Sequence, residues 1–206
     1  MKIELHQNDL PRDVTFTKSV AIDTETMGLR HGRDRLCLVQ LSQGDDICHL
    51  VQLPLGHAPE QSPNLRRILE DSELLKIFHF ARFDIAALYY HFGVLAQPVY
   101  CTKIASKLVR TYTDRHGLKD LCRELLGIEI SKQEQTSDWG AAQLSEDQLR
   151  YAATDVLYLH QLKEILDQRL DREGRAGLAE ASFDFVPYRA VLDLVSGEEF
   201  DIFAHS

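Results

Sequence analysis

Cysteine, proline, glycine and long apolar runs are all scarce in this chain. Its 206 residues include four cysteines, six prolines and eleven glycines. Cys37, Cys48, Cys101 and Cys122 never approach C-x-x-C spacing, which argues against a zinc ribbon. The opening MKIELHQNDLPRDVTF carries acids and a proline where a secretory leader needs an apolar run, so no disulfide framework is expected. No segment approaches the roughly 18 apolar residues of a membrane span, and a cytoplasmic protein without a membrane partner is the expectation. With 44% hydrophobic and 27% charged residues, wholesale disorder is excluded. The length suits one domain with a substantial core.

Positive charge is scarce too. Lys and Arg number 23 against 32 Asp and Glu, a net −9 that disfavours coating nucleic acid through bulk electrostatics. The balance is uneven. Residues 101–119 set Lys103, Lys107, Arg110, Arg115 and Lys119 against Asp114 alone, a local +4, while residues 140–206 hold six cations against thirteen acids. One basic strip on an acidic body suits a small anionic substrate.

Strands come early and helices late. Ser19–Glu25 reads as a strand leaving the core, and Leu36–Leu41 and Ile47–Leu53 as a hairpin about Gln43–Asp46. Pro63 opens a helix, Lys76–Phe80 is a strand, and a helix from Phe83 to Phe92 stops at Gly93. A strand and helix follow over Val99–Arg110, then a helix from Leu118 to Gly127. Ser145-Glu-Asp-Gln148 has the form of a capping box, and Leu149, Ala152, Val156, Leu159, Leu162, Leu166 and Leu170 extend one helical stripe toward Gly174. A final helical pair is expected to split near Pro187. This pattern predicts an α/β domain, a mixed sheet with helices on its faces.

Four acids and a tyrosine stand out. Asp23 and Glu25 leave the same face of a strand, and two carboxylates ~4 Å apart repel by roughly 4 kcal/mol at an effective dielectric of 20. A partly buried pair needs a cation or a proton, although D-x-E alone equally suits a solvated strand end. Asp84 falls in the first turn of its helix, where the dipole favours an acid. Tyr151 and Asp155 share a helix face at i,i+4, beside the apolar stripe. No single element decides.

The ordered set Asp23-x-Glu25, His79-x4-Asp84, Tyr151-x3-Asp155 resembles the DEDD superfamily of 3′–5′ exonucleases, in the DEDDy branch that includes ribonuclease D. The resemblance covers about residues 19–162, and the segment from Lys132 to Trp139 looks like the ribonuclease D subgroup. Thr102–Lys107, Tyr112–Lys119 and Asp201–Ser206 extend it to diribonucleases of the nanoRNase C type. Phe80 departs from the small or polar residue of many ribonuclease D relatives. The resemblance implies a ribonuclease H-like mixed sheet flanked by helices. About fifty residues follow the third motif, so residues 1–206 are expected to be a single exonuclease domain with no separate C-terminal RNA-binding domain.

Hard carboxylate donors without a cysteine–histidine cluster point to Mg²⁺ or Mn²⁺, two ions offsetting four negative charges. Asp23 is expected to bridge them, with Glu25 and Asp155 on the nucleophile side and Asp84 on the second ion or a water. By resemblance Tyr151 orients the attacking water or accepts its proton. The resemblance suggests Leu29 as a wedge between the last two bases, the alternative being a turn leucine packed inward. His79 and Phe83 are candidates for the terminal nucleotide, Phe83 alternatively being core. Lys103, Arg110, Arg115 and His116 are candidates for a 5′ phosphate, or a solvated basic strip. Phe200, Ile202 and Phe203 suit packing on this chain or on a neighbouring copy, and the resemblance favours a homo-oligomer. The expected activity is hydrolysis of very short RNA, dinucleotides first, to nucleoside 5′-monophosphates. The alternatives are trimming of longer RNA or DNA ends, and a non-catalytic nucleic-acid-binding module.

Overall fold

The computed structural model describes residues 1–131, 137–197 and 200–205. Residues 132–136 of the segment compared with ribonuclease D, and Ser206, lie outside the described residues. Six strands form one mixed sheet: β1 (Lys2–Gln7), β2 (Ser19–Thr26), β3 (Leu36–Ser42), β4 (Ile47–Gln52), β5 (Leu75–Phe78) and β6 (Val99–Cys101). Their order is β1-β4-β3-β2-β5-β6. The β2–β3–β4 core is antiparallel, and β1, β5 and β6 add on in parallel. β3 is buried along its whole length, as a central strand covered on both faces must be.

The expected hairpin is present, with Gly44 and Asp46 at positive φ in its turn. β1 is a finding of the structure. Ile3 and Leu5 alternate with Lys2, Glu4 and His6, too brief a signal to separate from an irregular terminus.

Helices α1 (Pro63–Glu70), α2 (Ala81–Phe92), α3 (Thr102–Val109), α4 (Leu118–Leu121), α5 (Glu146–Leu157), α6 (Leu159–Arg172) and α7 (Ala176–Ser196) cover the sheet. Gly93 ends α2 in the left-handed conformation, where no Cβ penalty arises. The Ser145 capping box is complete: Ser145 Oγ accepts from Gln148 N at 3.2 Å and Ser145 N donates to Gln148 Oε1 at 2.9 Å.

Three expectations need correction. β5 stops at Phe78, because Phe80 takes a left-handed conformation and α2 starts at Ala81. The single stripe after Ser145 is two helices, broken at Tyr158: α5 packs across β2, β3 and β4, whereas α6 packs on α3. α7 runs unbroken through Pro187. The lost N–H is tolerated because Phe183, Val186 and Ala190 are buried and Arg82 on α2 pairs with Asp193 at 2.6 Å.

Candidate active site

β2 carries the first two acids to the edge of the core. Val20, Ala21 and Ile22 are fully buried, and the strand then delivers Asp23 and Glu25 on one face. The β2–β3 register slips between Glu25 and Thr26, a bulge of the kind that re-aims a side chain at a strand end. α5 lies over that face and brings Asp155. One carboxylate oxygen each from Asp23, Glu25 and Asp155 lies within 4.8 Å of the others. Asp84 adjoins this trio from the first turn of α2, buried, accepting from Thr24 Oγ1 at 2.7 Å.

Burial and mutual repulsion act together on these acids. Asp23 is held well above the usual carboxylate range by burial, then by the charges of Asp84, Asp155 and Glu25. Burial, then Asp155 and Asp84, push Glu25 up to about 9. Asp84 rises to about 7 by burial, with the Thr24 hydroxyl working against it. Asp155 rises to about 7 by burial, opposed by the Tyr151 hydroxyl. Such a set gains most from a cation, and its oxygen donors fit a hard divalent ion such as Mg²⁺ or Mn²⁺.

Tyr151 stands one turn before Asp155, its ring 6.0 Å from the buried Trp139. Burial first, then the charge of Asp155, pushes its phenol further up, so it stays an O–H group at neutral pH.

A cleft of about 640 Å³ opens over the acids, lined by Asp23, Glu25, Leu29, His79, Phe83, Lys103, Tyr151 and Asp155 among others. Leu29 is 76% exposed, which excludes the inward-packed alternative. His79 Nδ1 lies 2.9 Å from Thr102 Oγ1, and burial depresses its ring to about 3. Phe83 meets His31 with ring centroids 4.7 Å apart. Lys103 Nζ sits 4.1 Å over the Phe80 ring.

Of the other candidates for a 5′ phosphate, Arg110, Arg115 and His116 lie outside the cleft. Arg110 is 1% exposed: its guanidinium binds Glu124 (3.1 Å), Ser106 Oγ (2.9 Å) and the Arg115 carbonyl (2.6 Å). It is a structural cation with no face toward the cleft, and the solvated alternative fails for it as well. His116 Nδ1 lies 2.9 Å from Ser106 Oγ in the same network, and Arg115 is exposed outside the cleft. Phe200, Ile202 and Phe203 are exposed, with Phe203 edge-on to Phe185 at 5.7 Å. Among the described residues no helix is long and apolar enough to cross a membrane.

Sequence reasoning misses Thr24, Trp139 and Lys119. Thr24 lies between the two β2 acids but points to the other face, so only the approach of α2 reveals its bond to Asp84. Lys119 lines the cleft, and its place in the basic strip was the signal that could have found it.

A 3′–5′ exonuclease family profile matches residues 4–171. Among solved structures, Brucella melitensis NrnC with bound Mg²⁺ is 56% identical, with 100% of each chain covered and a TM-score of 0.94. Brucella melitensis NrnC bound to pGG is 57% identical over 100% of each chain, with a TM-score of 0.96. Ribonuclease D of Gluconacetobacter diazotrophicus is 39% identical over 156 residues, 76% of this chain. This chain spans only 39% of that relative's length.

Proposed function

The chain belongs to the 3′–5′ exonuclease family, and on that premise we propose that it is a metal-dependent exoribonuclease that hydrolyses very short RNA, dinucleotides first. One observation carries the reading: three converging carboxylates, with Asp84 behind them, in a cleft whose mouth holds an exposed leucine. A volume of about 640 Å³ lies in the range of small-ligand sites. The likeness to Brucella NrnC bound to pGG supports the same substrate class.

In this reading Asp23, Glu25, Asp84 and Asp155 hold two Mg²⁺ or Mn²⁺ ions. When bound, such ions supply a water of lowered pKa and charge stabilisation at the scissile phosphate. The water oxygen would give up a proton, to solvent or to Tyr151, and bond to phosphorus as the P–O3′ bond breaks, and the departing 3′ oxygen would take up a proton from solvent. Tyr151, one turn before Asp155, orients the attacking water or accepts its proton. Leu29 separates the two bases, while His79 and Phe83 receive the terminal nucleoside. Lys103 and Lys119, which line the cleft, are the phosphate partners in this reading, ahead of Arg115 and His116, which lie outside it. Arg110 leaves this role, because its donors are already engaged.

The reading needs no separate RNA-binding domain. Self-association belongs to it, with Phe200, Ile202 and Phe203 as apolar surface for a second copy. The test is cleavage of 5′-phosphorylated RNAs from two to ten nucleotides with Mg²⁺. Faster turnover of the dinucleotide supports the proposal. Equal rates and affinities across the series would promote end trimming of longer RNA, and inactivity on every oligonucleotide would promote a binding module.

A further inference from the structure

A second titratable cluster sits on the other face of the sheet. Glu4 and His6 are two residues apart on the edge strand β1, so their side chains share a face. Parallel pairing sets His49 of β4 beside Glu4. The register separates this cluster from the acids. Asp23 pairs with Gln40 and Gln40 with Leu50, whereas His49 pairs with Leu41. Cys48, next to His49, directs its thiol to the Ala153 carbonyl of α5. His49 therefore points away from α5, and its ring meets Phe16 edge-on at 5.9 Å.

The donor atoms have the separations of a coordination shell. His6 Nε2 and His49 Nδ1 are 3.1 Å apart, and Glu4 Oε2 is 3.3 Å from His49 Nδ1. All three residues offer one ligand atom within 4.8 Å of the others. Ligands about 2.05 Å from a tetrahedral ion stand roughly 3.3–3.4 Å apart, so two edges of that tetrahedron already exist. We propose that Glu4, His6 and His49 form a transition-metal site of zinc type on the sheet face opposite the catalytic carboxylates.

Two imidazoles and one carboxylate select zinc, nickel or copper over Mg²⁺, which prefers an all-oxygen shell. The partly exposed cluster leaves the fourth position to water. Lys2 Nζ pairs with Glu4 at 2.5 Å and competes with the ion, but Lys2 is 68% exposed and withdraws into solvent. The ion links β1 to β4, the only strand β1 pairs with among the described residues.

Chelator-stripped protein in a large excess of Mg²⁺, which fills the carboxylate cleft, is titrated calorimetrically with Zn²⁺. One equivalent binds and raises Tm. His6→Gln and His49→Gln lose that equivalent while keeping the wild-type circular dichroism and Mg²⁺-dependent cleavage, and Lys2→Ala binds more tightly. Absence of the equivalent in the wild type overturns the site. So does an equivalent that survives in both histidine variants and vanishes in Asp155→Asn. Should the histidine variants fail to fold, Cu²⁺ electron paramagnetic resonance on the wild type decides. Superhyperfine coupling to two nitrogens supports the site, and coupling to none overturns it.

Discussion

Two charged, buried regions of this protein are built on opposite terms. In the cleft, Asp23, Glu25, Asp84 and Asp155 gather like charges, and all four carboxyls are pushed upward. Around Arg110, opposite charges meet: the guanidinium is satisfied from within the chain, and that contact holds Glu124 down at about 2. The Arg110 network is complete in the folded chain. The cleft is not, and its repulsion is relieved only by something brought from outside. On the proposed reading, the cleft is left electrostatically unfinished for a ligand, whereas the network that holds the fold is closed.

The largest effect that sharpens this contrast is expected from Asp155→Asn. It keeps the shape and removes one charge from the proposed metal set, so activity should fall roughly 10²–10⁴-fold. The melting temperature without metal should hold or rise, since one repulsive charge is gone. Near-normal turnover at saturating Mg²⁺ would remove Asp155 from the metal set.

Arg110→Met should do the reverse. It leaves the Ser106 hydroxyl, the Arg115 carbonyl and Glu124 without their shared donor, which costs about 2–3 kcal/mol after allowing for the partial exposure of Glu124. Denaturant unfolding should report that loss, while dinucleotide turnover far below the melting temperature stays close to wild type. A large loss of turnover with unchanged stability would put Arg110 in the substrate site after all.

Tyr151→Phe should slow the single-turnover chemical step roughly 10–100-fold with little change in substrate affinity. Loss of affinity with normal chemistry would make Tyr151 a binding residue.

The smallest effect is the pH dependence, and the two regions should give it opposite signs. For Asp84, Asp155 and Glu25 the folded pKa is raised to about 7, 7 and 9, so the folded chain binds more protons than the unfolded one from about pH 4 upward. Their contribution is present below that range and is lost as pH rises through 7 to 9. Glu124, depressed to about 2, contributes above about pH 4.5 and loses that contribution as pH falls. In chelator, Tm should therefore drop by a few degrees from pH 5 to 9, and saturating Mg²⁺ should abolish the drop. A flat profile in chelator would mean the acids are not buried together.

Much of the site was legible because its spacing is local. Asp23 and Glu25 share a strand face and Tyr151 and Asp155 a helix face, so two-residue and four-residue periods alone pair them. The hairpin, the Ser145 cap and the Gly93 stop were legible for the same reason. α7 was not, because Pro187 forbids one hydrogen bond locally while packing on α2 compensates from far along the chain. The break at Tyr158 also escapes the pattern, since the apolar stripe runs on while its packing partner changes from the sheet to α3.

Arg110 shows the boundary most clearly. As one cation among five in a short segment it reads as part of a phosphate-binding strip, and nothing in its neighbours says otherwise. The sequence by itself determined the identity and order of the acids, the α/β class and the elements that carry them, because backbone periodicity and capping act within a few residues. Only the tertiary structure decided which charges meet. Asp84 is brought to Thr24 across sixty positions and Arg110 to Glu124 across fourteen, and burial then fixes whether a charge is answered inside the chain or left for a ligand.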